Sequence, residues 1–368
     1  ISMADTPNAD ASAAVASDGL ARLASLEADL AALSTSVGEL RAQLSSDDAL
    51  STAYLRELAT NIPVLDGRVS KLQTSIDAVA VDDDDARSKR RTLVEAAHAL
   101  SERVHELPPL LAARVSSTAE THKLAGNAKF KAGEYEAAAR CYSEAIAVDR
   151  TQPTFFTNRA ACHRARSRWS DAVDDARQAL TLDVNSPKGY TLLIRSQLDL
   201  QRPADAAAAL QSAPQQLVQQ HAELSQLAPA VTDALKGAGN AALKASKHDD
   251  ALRMYTLAIS LDGSNPVFYS NRSAVHQARR SWKEALADAQ QAIKADKTFA
   301  KGYSHVGRIL MAQRQWAEAK TSVQEGLRTL QEAGKDAASC GPLQDLLKEI
   351  TAQTPRDGGS GGGAAAAA

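Results

Sequence analysis

Small residues recur every 34 positions in two separate stretches of this chain. Ala138, Ala172 and Ala206 form one series, and Ala145, Ala179 and Ala213 form a second. Ala251, Ala285 and Ala319 repeat the first, and Ala258, Ala292 and Gly326 repeat the second. The step from Ala138 to Ala251 is 113 residues, and it also pairs Tyr142 with Tyr255, Phe155 with Phe268, Asn158 with Asn271, Trp169 with Trp282 and Lys188 with Lys301. A fixed period of this length means stacked units, each unable to bury its apolar face alone. Two antiparallel helices per unit approach closely only where alanine or glycine sits at their crossing. Aromatic side chains such as Tyr142, Trp169, Tyr255, Trp282 and Trp316 then fill the gaps between neighbours.

The rest of the chain reads as helix too, and no strand run stands out. Leu23, Leu26, Leu30, Leu33, Val37, Leu40 and Leu44 are spaced three and four apart, an a/d heptad pattern. Leu65, Val69, Leu72, Ile76 and Val79 resume that spacing after "NIPVLDGR", where Pro63 is expected to stop a helix. The acidic run Asp82 to Asp85 reads as a helix start, since its spacing does not suit a metal loop. "ELPPLL" is expected to end the helix that follows. Self-association through residues 23–79 and an intramolecular bundle both fit this pattern.

The expected organisation is a disordered tail at 1–18, a helical or coiled-coil region at 19–115, and two repeat domains at 119–228 and 232–353. Each repeat domain closes with a solvating helix, "SAPQQLVQQHAELSQL" at 212–227 and "GPLQDLLKEITAQ" at 341–353. A low-complexity tail fills 354–368. The fold class is all-α.

Bulk properties narrow the function. The net charge of −2 argues against a nucleic-acid binder. No run of about 18 apolar residues is present, so no membrane span is expected. The N-terminus lacks the basic and apolar segments of a secretory signal. Three scattered cysteines, Cys141, Cys162 and Cys340, suit neither a disulfide framework nor a zinc site and point to a cytoplasmic setting; Cys141 and Cys162 read as small buried thiols. There is no phosphate loop, nucleophile elbow or His-Glu-x-x-His, so no enzyme activity, metal or cofactor is expected.

One phrase survives in both copies where its neighbours do not. Lys-x-x-Gly-Asn places Lys123 with Asn127, and Lys236 with Asn240, four apart on one helix face. Asn158 and Lys188 follow in the first copy, and Asn271 and Lys301 in the second. Lysine ammonium and asparagine amide both donate, and together they suit a carboxylate. His163 and His276 share a helix with the asparagines but lack partners for catalysis or metal binding, and read as packing residues.

Over 119–333 the chain resembles tandem tetratricopeptide (TPR) domains of three motifs each. The resemblance implies an all-α fold of two superhelical domains preceded by a helical hairpin or coiled coil. The repeated lysines and asparagines resemble the two-carboxylate clamp of TPR co-chaperones. The resemblance implies that Lys123, Asn127, Asn158 and Lys188, and likewise Lys236, Asn240, Asn271 and Lys301, hold the C-terminal Glu-Glu-Val-Asp tails of heat-shock protein 70 and 90 family chaperones. The chain is expected to act as a non-enzymatic adaptor of the Hsp-organising type. It departs from the family pattern at the fifth position, where arginine is replaced by Leu192 and His305. Arg195 and Arg308, seven residues after the lysines, lie two turns on along the same face and offer a replacement cation. The alternative is a structural scaffold, its grooves filled by other peptides and its coiled coil driving assembly in trafficking or the cytoskeleton.

Overall fold

The computed structural model describes residues 9–46, 50–81 and 83–353. Among them the secondary structure is helical throughout. The chain divides into two compact units, Ile1–Ser167 and Arg168–Ala368.

The first unit opens with α1 (Ala9–Ser45), α2 (Thr52–Asp77), α3 (Asp84–His105) and α4 (Leu107–Lys131). Helix α1 starts inside the stretch expected to be a disordered tail, which is helical from Ala9 onward. Residues 1–8 and the expected tail at 354–368 lie outside the described residues. Local signals set the helix starts. The Ser51 hydroxyl accepts from the Tyr54 amide, and the Asp83 carboxylate accepts from the Ala86 amide at 2.7 Å. Asp84 and Asp85 occupy the first turn of α3, so the acidic run acts as a helix start there; Asp82 lies outside the described residues.

The leucine stripe serves an internal core. Leu23, Leu30, Leu33, Val37 and Leu44 of α1 bury against Leu58, Val69 and Ile76 of α2, Leu93 and Leu100 of α3, and Leu107 of α4. A coiled-coil seam for a second chain would need these positions free. They are filled by the chain's own helices, so the self-association expected through 23–79 loses its surface. Arg103 ties α3 to α1 through the Ser34 hydroxyl, and Lys89 pairs with Glu27 at 2.8 Å.

One proline expectation is corrected, and a second is borne out with an addition. Pro63 lies within α2, which continues to Asp77. The lost backbone bond costs about 3 kcal/mol. Burial of Leu58, Ile62, Leu65 and Val69 along one stripe on both sides of it offsets that. The diproline of "ELPPLL" does follow the end of α3, but it also starts α4, where proline's missing N–H has no partner to lose. Helix α4 then runs through the expected domain boundary at 115–119 into the first repeat. There it pairs with α5 (Tyr135–Val148), which pairs with α6 (Pro153–Ala165).

The second unit continues the pattern. Its helices are α7 (Trp169–Leu182), α8 (Pro187–Asp199), α9 (Pro203–Ser212), α10 (Gln215–Gln220), α11 (Ala222–Ser225), α12 (Leu227–Lys244), α13 (His248–Leu261), α14 (Pro266–Ala278), α15 (Trp282–Ala295), α16 (Ala300–Ala312), α17 (Trp316–Glu332) and α18 (Ala337–Gln353). The small residues of the 34-residue series are buried as the period requires: Ala172, Ala206, Ala251, Ala285 and Ala319 are all fully enclosed.

The expected solvating helix at 212–227 does not form. Pro214 and an extended His221 break it into the short α10 and α11, and Leu217 and Leu224 bury toward the fold. Helix α12 therefore packs directly on α8 and α9, and α13 on α9. Gln211 also donates to the Ser260 hydroxyl at 2.8 Å. At the other end α18 covers α16 and α17 with Leu343, Leu346 and Ile350.

Candidate functional site

The second set of candidate residues lies wholly within the second unit. It spans three helices: Lys236 and Asn240 on α12, Asn271 on α14, and Lys301, His305 and Arg308 on α16. These are the first helices of three successive motifs.

Three of them, Asn240, Asn271 and Lys301, join with Tyr255 in one line of hydrogen bonds. Tyr255 donates its hydroxyl to Asn240 Oδ1 at 2.6 Å. Asn271 Nδ2 donates to that same oxygen at 3.4 Å. Lys301 Nζ donates to Asn271 Oδ1 at 3.1 Å. The consequence is orientation. Asn240 Oδ1 accepts two bonds and Asn271 Oδ1 one, so both oxygens are turned into the line, and amide N–H groups and the Lys301 ammonium are left to donate to a ligand. Burial lowers the Lys301 pKa from its ordinary value.

The glycine before each asparagine has a packing reason. A Cβ on Gly239 would meet the Tyr255 ring at 2.7 Å, and one on Gly126 would meet the Tyr142 ring at 2.7 Å. Only glycine lets the tyrosine lie across the helix and reach the next residue's amide. Burial raises the pKa of Tyr255, and that of Tyr142 to about 12, so each phenol stays protonated and donates.

His305 faces away from simple ligand duty. Gln277 Nε2 lies 2.6 Å from its Nδ1, bridging α14 and α16. Its Nε2 is enclosed and has no hydrogen-bond partner. Burial, and then the nearby Lys301 and Arg308 charges, push its pKa down to about 4, so the ring is neutral at pH 7. Arg308 is exposed on the same helix and close enough to repel a proton from His305, so α16 presents Lys301 and Arg308 as its cations.

Lys236 is engaged by Asp233 at 2.7 Å. Next to Asn271, Arg272 grips the buried Asp288 carboxylate with two bonds of 2.8 and 2.7 Å and donates to Thr256, which fixes α14 against α13 and α15. His276 lies 3.8 Å from Asp288 and burial lowers its pKa, as suits a packing residue. Its counterpart His163 lies on α6, in the first unit.

The first set is divided between the two units. In the first unit, Asn127 Oδ1 accepts from the Tyr142 hydroxyl at 2.7 Å and from Asn158 Nδ2 at 3.3 Å, and Lys123 pairs with Glu120 at 2.7 Å. In the second unit, Lys188 and Arg195 are exposed on α8, while Leu192 is 7% exposed and belongs to the core.

Sequence reasoning missed the part played by five residues. Tyr142 and Tyr255 were assigned to gap filling, yet they orient the asparagines; their repetition fifteen residues after each asparagine was the available signal. Gln277 carried no signal: its partner His305 lies 28 positions on, and the corresponding pair in the first copy is Arg164 and Leu192. The acids Glu120 and Asp233 recur three before each lysine.

No group of three or more metal-ligating side chains occurs among the described residues. Cys141, Cys162 and Cys340 are buried, and none of them forms a disulfide among the described residues. No described helix is long and apolar enough to cross a membrane.

Residues 126–164 match the family described as TPR repeat. Hsp70-Hsp90 organizing protein 2 of Arabidopsis thaliana is 29% identical over 203 residues, which cover 48% of this chain and 36% of that protein. Stress-induced-phosphoprotein 1 of Caenorhabditis elegans is 25% identical over 210 residues, covering 51% and 66%. The chain thus spans about a third of the plant relative's length. The structure described as "TPR2AB-domain:pHSP90-complex of yeast Sti1" covers 64% of this chain and 99% of its own, at 20% identity and a TM-score of 0.30, a likeness too distant to bear on the site.

Proposed function

For a tetratricopeptide-repeat protein similar in sequence to the Hsp70-Hsp90 organizing proteins, we propose a non-enzymatic adaptor that binds the carboxylate-ended tails of heat-shock protein 70 and 90 family chaperones. The supporting observation is the line Tyr255–Asn240–Asn271–Lys301, which turns the asparagine oxygens inward and leaves donors for an incoming ligand. A peptide terminus supplies two carboxylates when its last residue is aspartate. The terminal group meets Lys236, Asn240 and Asn271. The side-chain group meets Lys301 and Arg308, with Arg308 replacing the arginine absent at position 305. His305 stays neutral and braces α16 against α14. The first set repeats the same residue types at a fixed offset, so the reading extends to it from the sequence, with Lys188 and Arg195 as its cations. Two such sites on one chain make a second tail's arrival effectively intramolecular. The setting in this reading is cytoplasmic.

Calorimetric titration with a peptide ending in Met-Glu-Glu-Val-Asp tests it, free acid against C-terminal amide. Binding near micromolar, about −8 kcal/mol, is expected for the acid. Amidation abolishes it, and Lys301→Ala and Lys188→Ala each weaken it by about tenfold or more. Equal binding of acid and amide, or none of either, would replace this reading with the scaffold.

A further inference from the structure

Each lysine that opens a candidate site already holds a carboxylate of its own chain. Lys236 Nζ lies 2.7 Å from Asp233, and Lys123 Nζ lies 2.7 Å from Glu120. The acid stands three residues before the lysine in both copies, on the same helix face.

Stability gives little reason for these pairs. The acid side chains are 70% and 49% exposed, and ion pairs so solvated contribute close to nothing. Inheritance from a duplication is an incomplete account as well. Exposed Leu124 corresponds to Gly237, and Lys129 to Ala242, so this surface has diverged. At the acid the residue itself changed, glutamate in one copy and aspartate in the other, while sign, spacing and contact stayed.

Resting on the carboxylate-tail reading, we infer that Asp233 and Glu120 are internal competitors that set the affinity of each site. Each occupies the ammonium an incoming carboxylate needs. A bound tail must share or displace it, and two unit charges about 4 Å apart in water shift an equilibrium about fivefold. A stray anion that meets only this lysine gains too little to stay. A tail that also engages the asparagines and the α16 cations stays bound. The acid thus keeps the site empty of weak anions without closing it.

The opposite possibility is that the acid positions the lysine for its ligand, and the two differ in sign. The full-length chain carrying Lys188→Ala, to weaken the first set so that the second dominates, is titrated with the Met-Glu-Glu-Val-Asp peptide before and after Asp233→Asn. The competitor predicts tightening of about three- to fivefold at 50 mM salt, shrinking toward none at 500 mM as screening grows. The C-terminal amide shows no gain, and neither does the acid peptide when Lys236→Ala is added. Circular dichroism confirms that the exposed substitution leaves the helices intact. Unchanged or weaker binding by Asp233→Asn, with the parent binding normally, overturns the competitor alone. Failure of both proteins to bind overturns the tail reading and the competitor together.

Discussion

At one register position of the repeat the chain writes leucine in the first triplet and histidine in the second. Leu192 is 7% exposed and simply joins the core. His305 occupies the same place on α16 and stays neutral, with Gln277 on Nδ1 and nothing on Nε2. The partner positions differ together, since Gln277 corresponds to Arg164. The comparison teaches that one backbone site accepts an apolar or a polar side chain, but the polar one comes with electrostatic debts. A neutral imidazole beside Lys301 and Arg308 holds only while the medium does not force a proton on it.

Converting one copy into the other breaks the comparison most sharply. His305 has a folded pKa of about 4, below the ordinary 6.5. Between those values the unfolded chain takes up a proton that the folded chain refuses. Stability is therefore full above pH 6.5 and falls as pH drops toward 4, by about 3 kcal/mol in total for this group. His305→Leu removes that share. Urea unfolding of the two proteins should agree within about 1 kcal/mol at pH 7.5 and separate by about 2–3 kcal/mol at pH 4.5, the variant being the more stable. Parallel curves would show that His305 is solvated.

A smaller effect sharpens what the copies share. Tyr255→Phe and Tyr142→Phe each delete a hydroxyl that holds an asparagine. Each should lower stability by about 1 kcal/mol. The Tyr255 change should also weaken tail binding several-fold, because Asn240 regains the freedom to turn its oxygen outward. Binding unchanged by Tyr255→Phe would mean that Asn271 alone suffices to orient it.

The smallest effect concerns the turns. Gly133 makes the turn between the two helices of the first motif at φ +79°, whereas Ser167, Gln201, Ser246, Arg280 and Arg314 occupy the same left-handed place at φ 56° to 61°. Glycine takes that conformation without the clash of a Cβ. Arg280→Gly should raise the melting midpoint modestly, by about 0.5–1 kcal/mol of stability, despite the added freedom of the unfolded chain. Gly133→Ser should lower it by a similar amount.

Much of this architecture could be read from the residues because the repeat is periodic. Ala138 and its successors sit at helix crossings, and a crossing tolerates nothing larger, so sequence and packing speak the same language there. The paired lysines and asparagines were legible for the same reason. Features set by longer-range competition were not. Pro63 stays inside α2 because buried leucines on both sides outweigh one lost bond. The stripe from Leu23 to Leu44 has the spacing of a two-chain seam, and only the presence of α2, α3 and α4 on that face decides that it is internal. The 212–227 segment has a helical composition, but Leu217 and Leu224 find a better home against the neighbouring motifs. His305 was recognised as a departure, whereas its neutrality depends on burial and on Gln277.

Helix α4 belongs to two cores at once. Leu107 and Leu111 lie in the N-terminal bundle, while Lys123 and Asn127 carry the candidate chemistry on the same uninterrupted rod. Leu111 and Asn127 are about 24 Å apart along it. A rod of hydrogen-bonded turns is stiff over that length, so the place of the bundle end and the place of the asparagine are set together. In mechanical terms the bundle is a handle on a shaft, and whatever grasps it gains leverage over the first amide of the first repeat.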